Sequence, residues 1–542
     1  MLYLFTAPQW CIIDITKINE LLGNINCPHC QCNKTVHVTT GNHKGFALPL
    51  TLICSHCGLQ LGSTYSSPVL ATGTNPQPFA INDIMVLLFN HLGLGYTAVK
   101  EFCGILGIPA MHVKTFQEKE RKVIEKTVEV ANAILRKSAN IIRTMNRATN
   151  PGDEENNACI TVSFDGTWQK RGHASMHGVA AVIDVVTGLV VDYEVLSMYC
   201  HSCSCKKAQL GADSPAFTAW YVEHRDDCSI NYHGSSNAME VEAAKRLWGR
   251  SVQTNGLQYT GMLGDGDSKA YQAVVELQPY GPHIKIVREE CVNHAHKRMG
   301  TALLKLAKEK KLGGRGRGRL TKDKAIRLQH YYRYAITASG GDADNMRDRV
   351  WATLFHCMST DEEPHHTRCP PGTDSWCFFQ RALAKDEEPP SHEVHIKHPL
   401  AHDVAEAMVP VYRHMSDPNL LKRLTKGKTQ NSNESLHNVI WSRCSKTVFV
   451  SRRKLQGAVA RAVGSFNAGA SHLTEVMELL AIEVNELNLA FVDECDRQRL
   501  VKAELANTSS AKKERKSRGE ERKRRRAHDE DQEGPSYVAG GF

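Results

Sequence analysis

The sequence predicts an α/β fold built on a mixed sheet, and three observations near the middle of the chain predict it. Three apolar runs follow one another, CITVSFDGTW, HGVAAVIDVV and GLVVDYEVLSMY, with the branched and aromatic content of strands. A helical run, AMEVEAAKRLWGR, then leads into a fourth strand, LQYTGMLGDGD. The first and fourth strands both end on acidic residues, Asp165 and the GDGD aspartates.

The second and third strands are joined through Thr187-Gly188, a hairpin turn signal, so they pair antiparallel. Strand-strand-strand-helix-strand is the order of an RNase H-like core, a mixed sheet with flanking helices. Its first part spans 155–275. Residues 276–427, rich in Cys, His, Gly and Arg, show no obvious strand and read as a mostly helical insertion. The core resumes over 428–500, where NSNESLHNVIWSR begins a helix with Asn431 or Ser432 as cap and Glu434 in its first turn. The segment 505–542 is charged and low in aromatics, the composition of a disordered tail.

Two modules precede the core. In 1–66, Cys27-Pro-His-Cys30 and Cys54-Ser-His-Cys57 flank the strand-like runs TVHV and FALPLTLIC. Each CxxC turns tightly and aims two thiolates at one point, so the pairs together make a tetrahedral zinc shell, a zinc ribbon. Cys32 is a substitute ligand, and unrelated buried thiols are the alternative. In 77–140, INDIMVLLFNHL (capped by Asn82), YTAVKEFCGIL and a longer helical pattern are split by Gly-containing turns. That suits a helix-turn-helix DNA reader or a plain packing module.

Charge narrows the function classes. Formal net charge is +9, and the run 512–526 supplies ten basic and three acidic residues, or +7 of it. The rest of the chain is near neutral, so nucleic acid must be met by local patches. No apolar run approaches the ~18 residues of a membrane span, and the first residues lack the basic region and cleavage site of a secretory signal. With 18 Cys and 26 His, metal-binding thiols are favoured over disulfides. GxSxG and Walker A motifs are absent, and GGRGRGR is a basic loop.

Three carboxylates carry the chemistry: Asp165 at a strand end, Asp265 or Asp267 after the fourth strand, and Glu434 on a helix. Phosphodiester chemistry with two Mg²⁺ or Mn²⁺ ions ~3.5–4 Å apart needs such a cluster of hard oxygen ligands. Asp165 would bridge both ions, and the other two carboxylates would hold one each. Asp265 follows the apolar strand directly and is preferred to Asp267, which sits deeper in the turn.

At these residues the chain resembles the transposases of Mutator-like DNA elements. The matching stretches include SFDGTWQKRGHASMHGV, GLVVDYEVLSMYCHSC, YTGMLGDGDSKAY, CVNHAHKRMG and NSNESLHNVIWSR. The resemblance implies a DDE enzyme of RNase H-like fold that binds terminal inverted repeats, cleaves strands and joins them to target DNA, as a homo-oligomer on double-stranded DNA. It implies the triad Asp165, Asp265 and Glu434, and a CxxH between the second Asp and the Glu, here Cys291 and His294. A non-catalytic DNA-binding derivative and an RNase H-like nuclease without strand transfer are the rival readings.

Further Cys/His sets suit zinc. Cys200-x2-Cys203 with His224-x3-Cys228 resembles a CCHC knuckle. Cys291 and His294 need partners, for which His366, Cys369 and Cys377 are candidates; alternatively His294 and Lys297 touch DNA phosphate. Lys170, Arg171 and His173 are phosphate contacts beside Asp165 or a solvated strand end. Lys297, Arg298, Lys446, Arg452, Arg453 and Lys454 offer further basic contacts. KRRR (523–526) reads as a nuclear localisation signal or DNA-binding tail.

Overall fold

The computed structural model describes residues 10–70, 78–149, 157–170, 175–265, 268–314, 316–396, 398–446, 450–515, 517–519 and 521. The N-terminal cysteine pairs sit on a three-stranded antiparallel sheet of β1 (Val36–Thr40), β2 (Pro49–Cys54) and β3 (Gln60–Tyr65). The larger sheet contains β4 (Ala158–Trp168), β5 (His177–Asp184), β6 (Val190–Ser197), β7 (Leu257–Gly264) and β8 (Val287–Glu290). Its order is β6-β5-β4-β7-β8. The β4–β5 and β5–β6 pairs are antiparallel, and β4–β7 and β7–β8 are parallel.

The four expected strands and the intervening helix, Met239–Asn255, are all present. Two details differ. β4 does not end at Asp165 but runs on through Gly166 to Trp168. The Asp-Gly pair has a turn's composition, yet the missing side chain serves packing. A Cβ on Gly166 would sit 3.2 Å from the Trp168 ring, and one on Gly178 of β5 only 2.2 Å from it. The other difference is β8, a short strand inside the segment expected to be strandless. Four residues, three of them charged, carry no readable alternation, and it is their pairing to β7 that makes them a strand.

Each face of the sheet is covered. Phe164 meets Trp248 of Met239–Asn255 edge-on at 5.6 Å, and Trp248 Nε1 donates to Tyr259 O at 3.0 Å. On the opposite face Leu436 and Ile440 of the helix Asn431–Arg443, with Leu455 and Val459 of Arg452–Ala468, pack on Val179, Ala181 and Ile183. The insertion has its own core, where the helices Val292–Glu309, Lys322–Thr337, Ala343–Met358 and His402–Met415 bury Leu303, Tyr332, Val350 and Met408.

The helices Ala80–His91, Tyr96–Leu106 and Val113–Thr149 match the three expected patterns, the last running past 140. They share one core with the C-terminal Val476, Leu480 and Ile482, so this segment is built into the body of the protein. Its first cap is Phe79, not Asn82. The Asn82 side chain instead accepts from Phe46 N (2.7 Å) and donates to Lys44 O (2.9 Å), tying the helix to the cysteine-bearing sheet. Likewise the helix Asn431–Arg443 has Gln430 at its N-cap, not Asn431 or Ser432, with no side-chain capping bond; its Nε2 donates to Phe164 O instead.

Candidate active site and metal centres

Asp165 lies on β4 beside β7, where Ser163 is level with Leu263. Carrying that parallel register forward two residues sets Asp165 level with Asp265, and residues two apart on a strand share a face. The helix Asn431–Arg443 is fastened across this face. Gln430 Nε2 donates to Phe164 O at 2.9 Å, and Asn433 Nδ2 lies 3.4 Å from both Ser163 O and Ala181 O. Trp441 Nε1 donates to Thr167 Oγ1 at 2.8 Å. Residues 430, 433, 437 and 441 recur at three- and four-residue intervals, one stripe of a helix, and the stripe carries Glu434 to the aspartates.

The electrostatics join the three carboxylates. Burial pushes the Asp165 carboxyl up to about 7; the Asp265 charge adds to this, the Gly166 N–H opposes it, and Glu434 adds again. No lysine or arginine is ion-paired with Asp165 or Glu434 among the described residues. The nearest basic group is His437, whose Nδ1 lies 3.7 Å from Asp165 Oδ2. Burial, then the Lys446 charge, holds His437 down to about 4, so at neutral pH it is uncharged. Its Nε2 is buried without a hydrogen-bond partner.

His294 belongs here too. Burial lowers its pKa, and the Asp265 and Glu434 charges push the other way, so it lies within electrostatic reach of both carboxylates. Sequence reasoning missed His437, Gln430 and Asn433. The signal was available for His437, since Glu434-x2-His437 puts both on one helix face. It also missed Glu289 of β8, which is buried on the same sheet face, pairs with Lys426 and lies 3.4 Å from Thr161 Oγ1. Asp267, Arg171 and His173 lie outside the described residues.

Three tetrads of Cys and His could each hold a metal ion, their ligand atoms all within 4.8 Å of one another. Cys27, Cys30, Cys54 and Cys57 form the first, with Cys27–Cys57 sulfurs at 3.9 Å and Cys30–Cys54 at 3.7 Å. Cys200, Cys203, His224 and Cys228 form the second, with Cys200 Sγ 3.3 Å from His224 Nε2 and Trp220 stacked on the imidazole. Soft thiolates with imidazole in closed four-ligand sets suit structural zinc.

The third tetrad differs from the expected grouping. His366, Cys369 and Cys377 come together as expected, but with His356 and not with Cys291 and His294. The Cys291 sulfur accepts from Gln430 N at 3.4 Å, and His294 feels the charges of Asp265 and Glu434. His356 sits within the helix Ala343–Met358, which the insertion's packing brings to the His366 loop; the two Nδ1 atoms are 3.2 Å apart. Behind them, His392 Nε2 is 2.7 Å from His366 Nε2, and His392 Nδ1 is 2.6 Å from Asp361 Oδ1. A carboxylate-imidazole chain of this kind orients a metal-binding histidine.

A family model, Mutator-like transposase, matches residues 9–377. The chain belongs to this family. The match takes in all three tetrads, Asp165 and Asp265, and closes at Cys377, before Glu434. Searches of curated proteins and of solved structures return no match. Transposase membership implies DNA binding with nuclease and transferase activity in general.

The basic residues of this transposase-family chain divide by their partners. Lys170 follows β4 and is exposed. Arg298, expected as a DNA contact, is committed to the buried Glu290, which also holds Arg423 at 2.8 Å. Lys297, one residue before it, is exposed and has no ion-pair partner among the described residues. Lys446 lies over the Trp441 ring at 4.7 Å, and Arg452 and Arg453 open the next helix. No described helix is long and apolar enough to cross a membrane.

Proposed function

We propose that this chain is a DDE transposase that cleaves DNA at element ends and joins it to a target, on an RNase H-like core. One observation carries the reading: the Asp265 and Glu434 charges both act on buried Asp165, while among the described residues no lysine or arginine is ion-paired with it. A carboxylate raised this far is an unfavourable anion awaiting a cation, which fits hard divalent ions held by these three residues. Two such ions, Mg²⁺ or Mn²⁺, would supply activation of the attacking hydroxyl and stabilisation of the leaving oxygen.

The chain's own residues do the rest. Gln430, Asn433 and Trp441 hold the Glu434 helix against β4, so the third carboxylate keeps its place without a ligand. Neutral His437 stands beside Asp165, its Nδ1 3.7 Å from Oδ2, without offsetting its charge. Lys170, Lys297 and Lys446, with Arg171 and His173 next to Lys170 in sequence, would hold the DNA backbone by its phosphates. The strand order, three antiparallel strands followed by two parallel ones, supports the RNase H-like assignment. The three tetrads take structural zinc, and the cysteine-bearing sheet and the helices after it engage terminal repeats. The KRRR run supports a nuclear address, and joining two element ends calls for an oligomer on DNA.

The test is cleavage of an element-end duplex in Mg²⁺ or Mn²⁺. Asp165→Ala and Glu434→Ala are expected to abolish cleavage while retaining DNA binding. Cleavage retained by either variant overturns the triad, and cleavage without any joined product makes the enzyme a nuclease.

A further inference from the structure

A cavity of about 380 Å³ lies between the second metal tetrad and the start of the helix Arg452–Ala468. Three guanidinium groups line it: Arg121 from the helix Val113–Thr149, and Arg452 and Arg453. Neither Arg121 nor Arg452 has a hydrogen-bond or ion-pair partner among the described residues. Its one carboxylate, Asp227, is 75% exposed and reaches only Arg453, at 3.8 Å. Hydroxyls of Ser202, Ser229 and Ser451 complete the wall. Two helices, His201–Leu210 and Arg452–Ala468, also present their first residues to the cavity, and a helix N-terminus carries partial positive charge.

Two further wall residues, Cys200 and His224, are members of the second tetrad. Two of the four tetrad residues, at the start of His201–Leu210 and the end of Pro215–His224, therefore also form part of the cavity wall. Paired guanidiniums in a fixed fork match the oxygens of a phosphate. Arg452 and Arg453 were expected to meet DNA from their position in a basic run; the cavity adds Arg121, over three hundred residues away in sequence, and two residues of the second tetrad.

We infer that this cavity is a phosphodiester-binding site whose wall is set by metal at Cys200, Cys203, His224 and Cys228, so that this tetrad controls DNA affinity. The inference rests on the DNA-binding part of the function proposed above. A backbone phosphate of duplex DNA is the source assigned, and free phosphate is the competing one.

The measurement is the salt dependence of duplex binding by the full chain, followed by fluorescence anisotropy. Each neutralised phosphate contributes a slope of about −0.9 in log K against log salt. The Arg121→Ala/Arg452→Ala double variant should lose about one such unit with its zinc content unchanged, while Arg497→Ala, on a remote exposed helix, should keep the wild-type slope. Cys228→Ser, whose thiol lies outside the cavity lining, should lose one zinc equivalent and the same unit of slope. A double variant with the wild-type slope overturns the site and leaves the transposase reading standing. Wild-type protein that binds no duplex overturns both. Loss of a thermal shift induced by inorganic phosphate, with the DNA slope intact, assigns the cavity to a free anion and overturns the DNA assignment. Zinc lost from Cys228→Ser with the slope retained overturns the link to the metal.

Discussion

Replacing Asp165 with Asn should stabilise the metal-free protein at alkaline pH. The carboxyl titrates near 3.8 when exposed and at about 7 in the fold. Between those values the folded chain holds a proton that the unfolded chain has released. The contribution to stability is therefore complete below about 3.8 and is lost as pH rises through about 7. A shift of roughly three units at about 1.36 kcal/mol each makes the ionised group unfavourable by about 4 kcal/mol at pH 8. The side chain is 26% exposed, so solvent screens only part of this. Asn keeps the shape and can still accept from Gly166 N–H, but carries no charge. In chelator-free, magnesium-free buffer, which leaves zinc in place, D165N should melt higher than wild type at pH 8. The expected scale is about 2–4 °C per kcal/mol for a domain of this order. The gap should narrow as pH falls below about 7 and close only near 3.8, where the unfolded carboxyl is protonated as well. On the proposed two-metal reading, added Mn²⁺ should reverse the ranking, because only wild type keeps a charged carboxylate at this position to hold the ion. Differential scanning fluorimetry across pH and Mn²⁺ reads all of this. Metal-free D165N that melts at or below wild type at pH 8 would refute the reasoning that burial and like charge dominate at Asp165.

Three other perturbations test the architecture around the site. Gly178→Ala should destabilise by about 1–3 kcal/mol through the Trp168 ring, more than Gly166→Ala, and chemical denaturation would rank them. Asn433→Leu leaves two strand carbonyls without their donor and should cost about 1–3 kcal/mol while lowering cleavage, because Glu434 is then less firmly placed; stability curves and cleavage rates check both. Purified protein should carry three zinc equivalents by elemental analysis, His356→Ala should carry two, and Cys291→Ser should still carry three.

What the sequence made legible follows from local chemistry. The apolar runs announced β4 to β7 because a buried strand needs little beyond branched and aromatic residues. The turn between β5 and β6 was legible because Gly188, at φ 72°, takes a conformation that other residues avoid. The CxxC pairs were legible because ligand spacing in a tight turn is short. What escaped depends on distant partners. Asp165-Gly166 reads as a turn unless the Trp168 ring is known to lie across Gly178. His356 has no ligand-like spacing to His366, since a helix and a loop meet there only through the insertion's core. Cys291 and His294 sit three apart like chelating ligands, yet one turns inward to Gln430 N and the other lies in the electrostatic field of the carboxylates.

The insertion explains how Glu434 can stand so far along the chain from Asp165 and still be placed to hydrogen-bond accuracy. Glu290 at the end of β8 is buried and binds Arg298, at the start of the insertion, and Arg423, near its end, 133 residues later. Backbone bonds bring entry and exit together at the same point: Glu290 N donates to Arg423 O at 2.9 Å, and Val292 N to Lys428 O at 3.1 Å. The chain therefore leaves the sheet and returns to it through one clamp, and the closure entropy of so long a loop grows only logarithmically with its length. Because the return point is fixed at β8, Gln430 arrives directly over Phe164 and the helix carrying Glu434 starts in register with β4. Breaking the clamp, with Arg423→Met for example, should leave a buried Glu290 without one of its two cations and loosen the Glu434 helix before the sheet itself. Hydrogen exchange would then show faster exchange over residues 430–443 than over β4 and β7, and equal protection of the two would separate the clamp from the placement of Glu434.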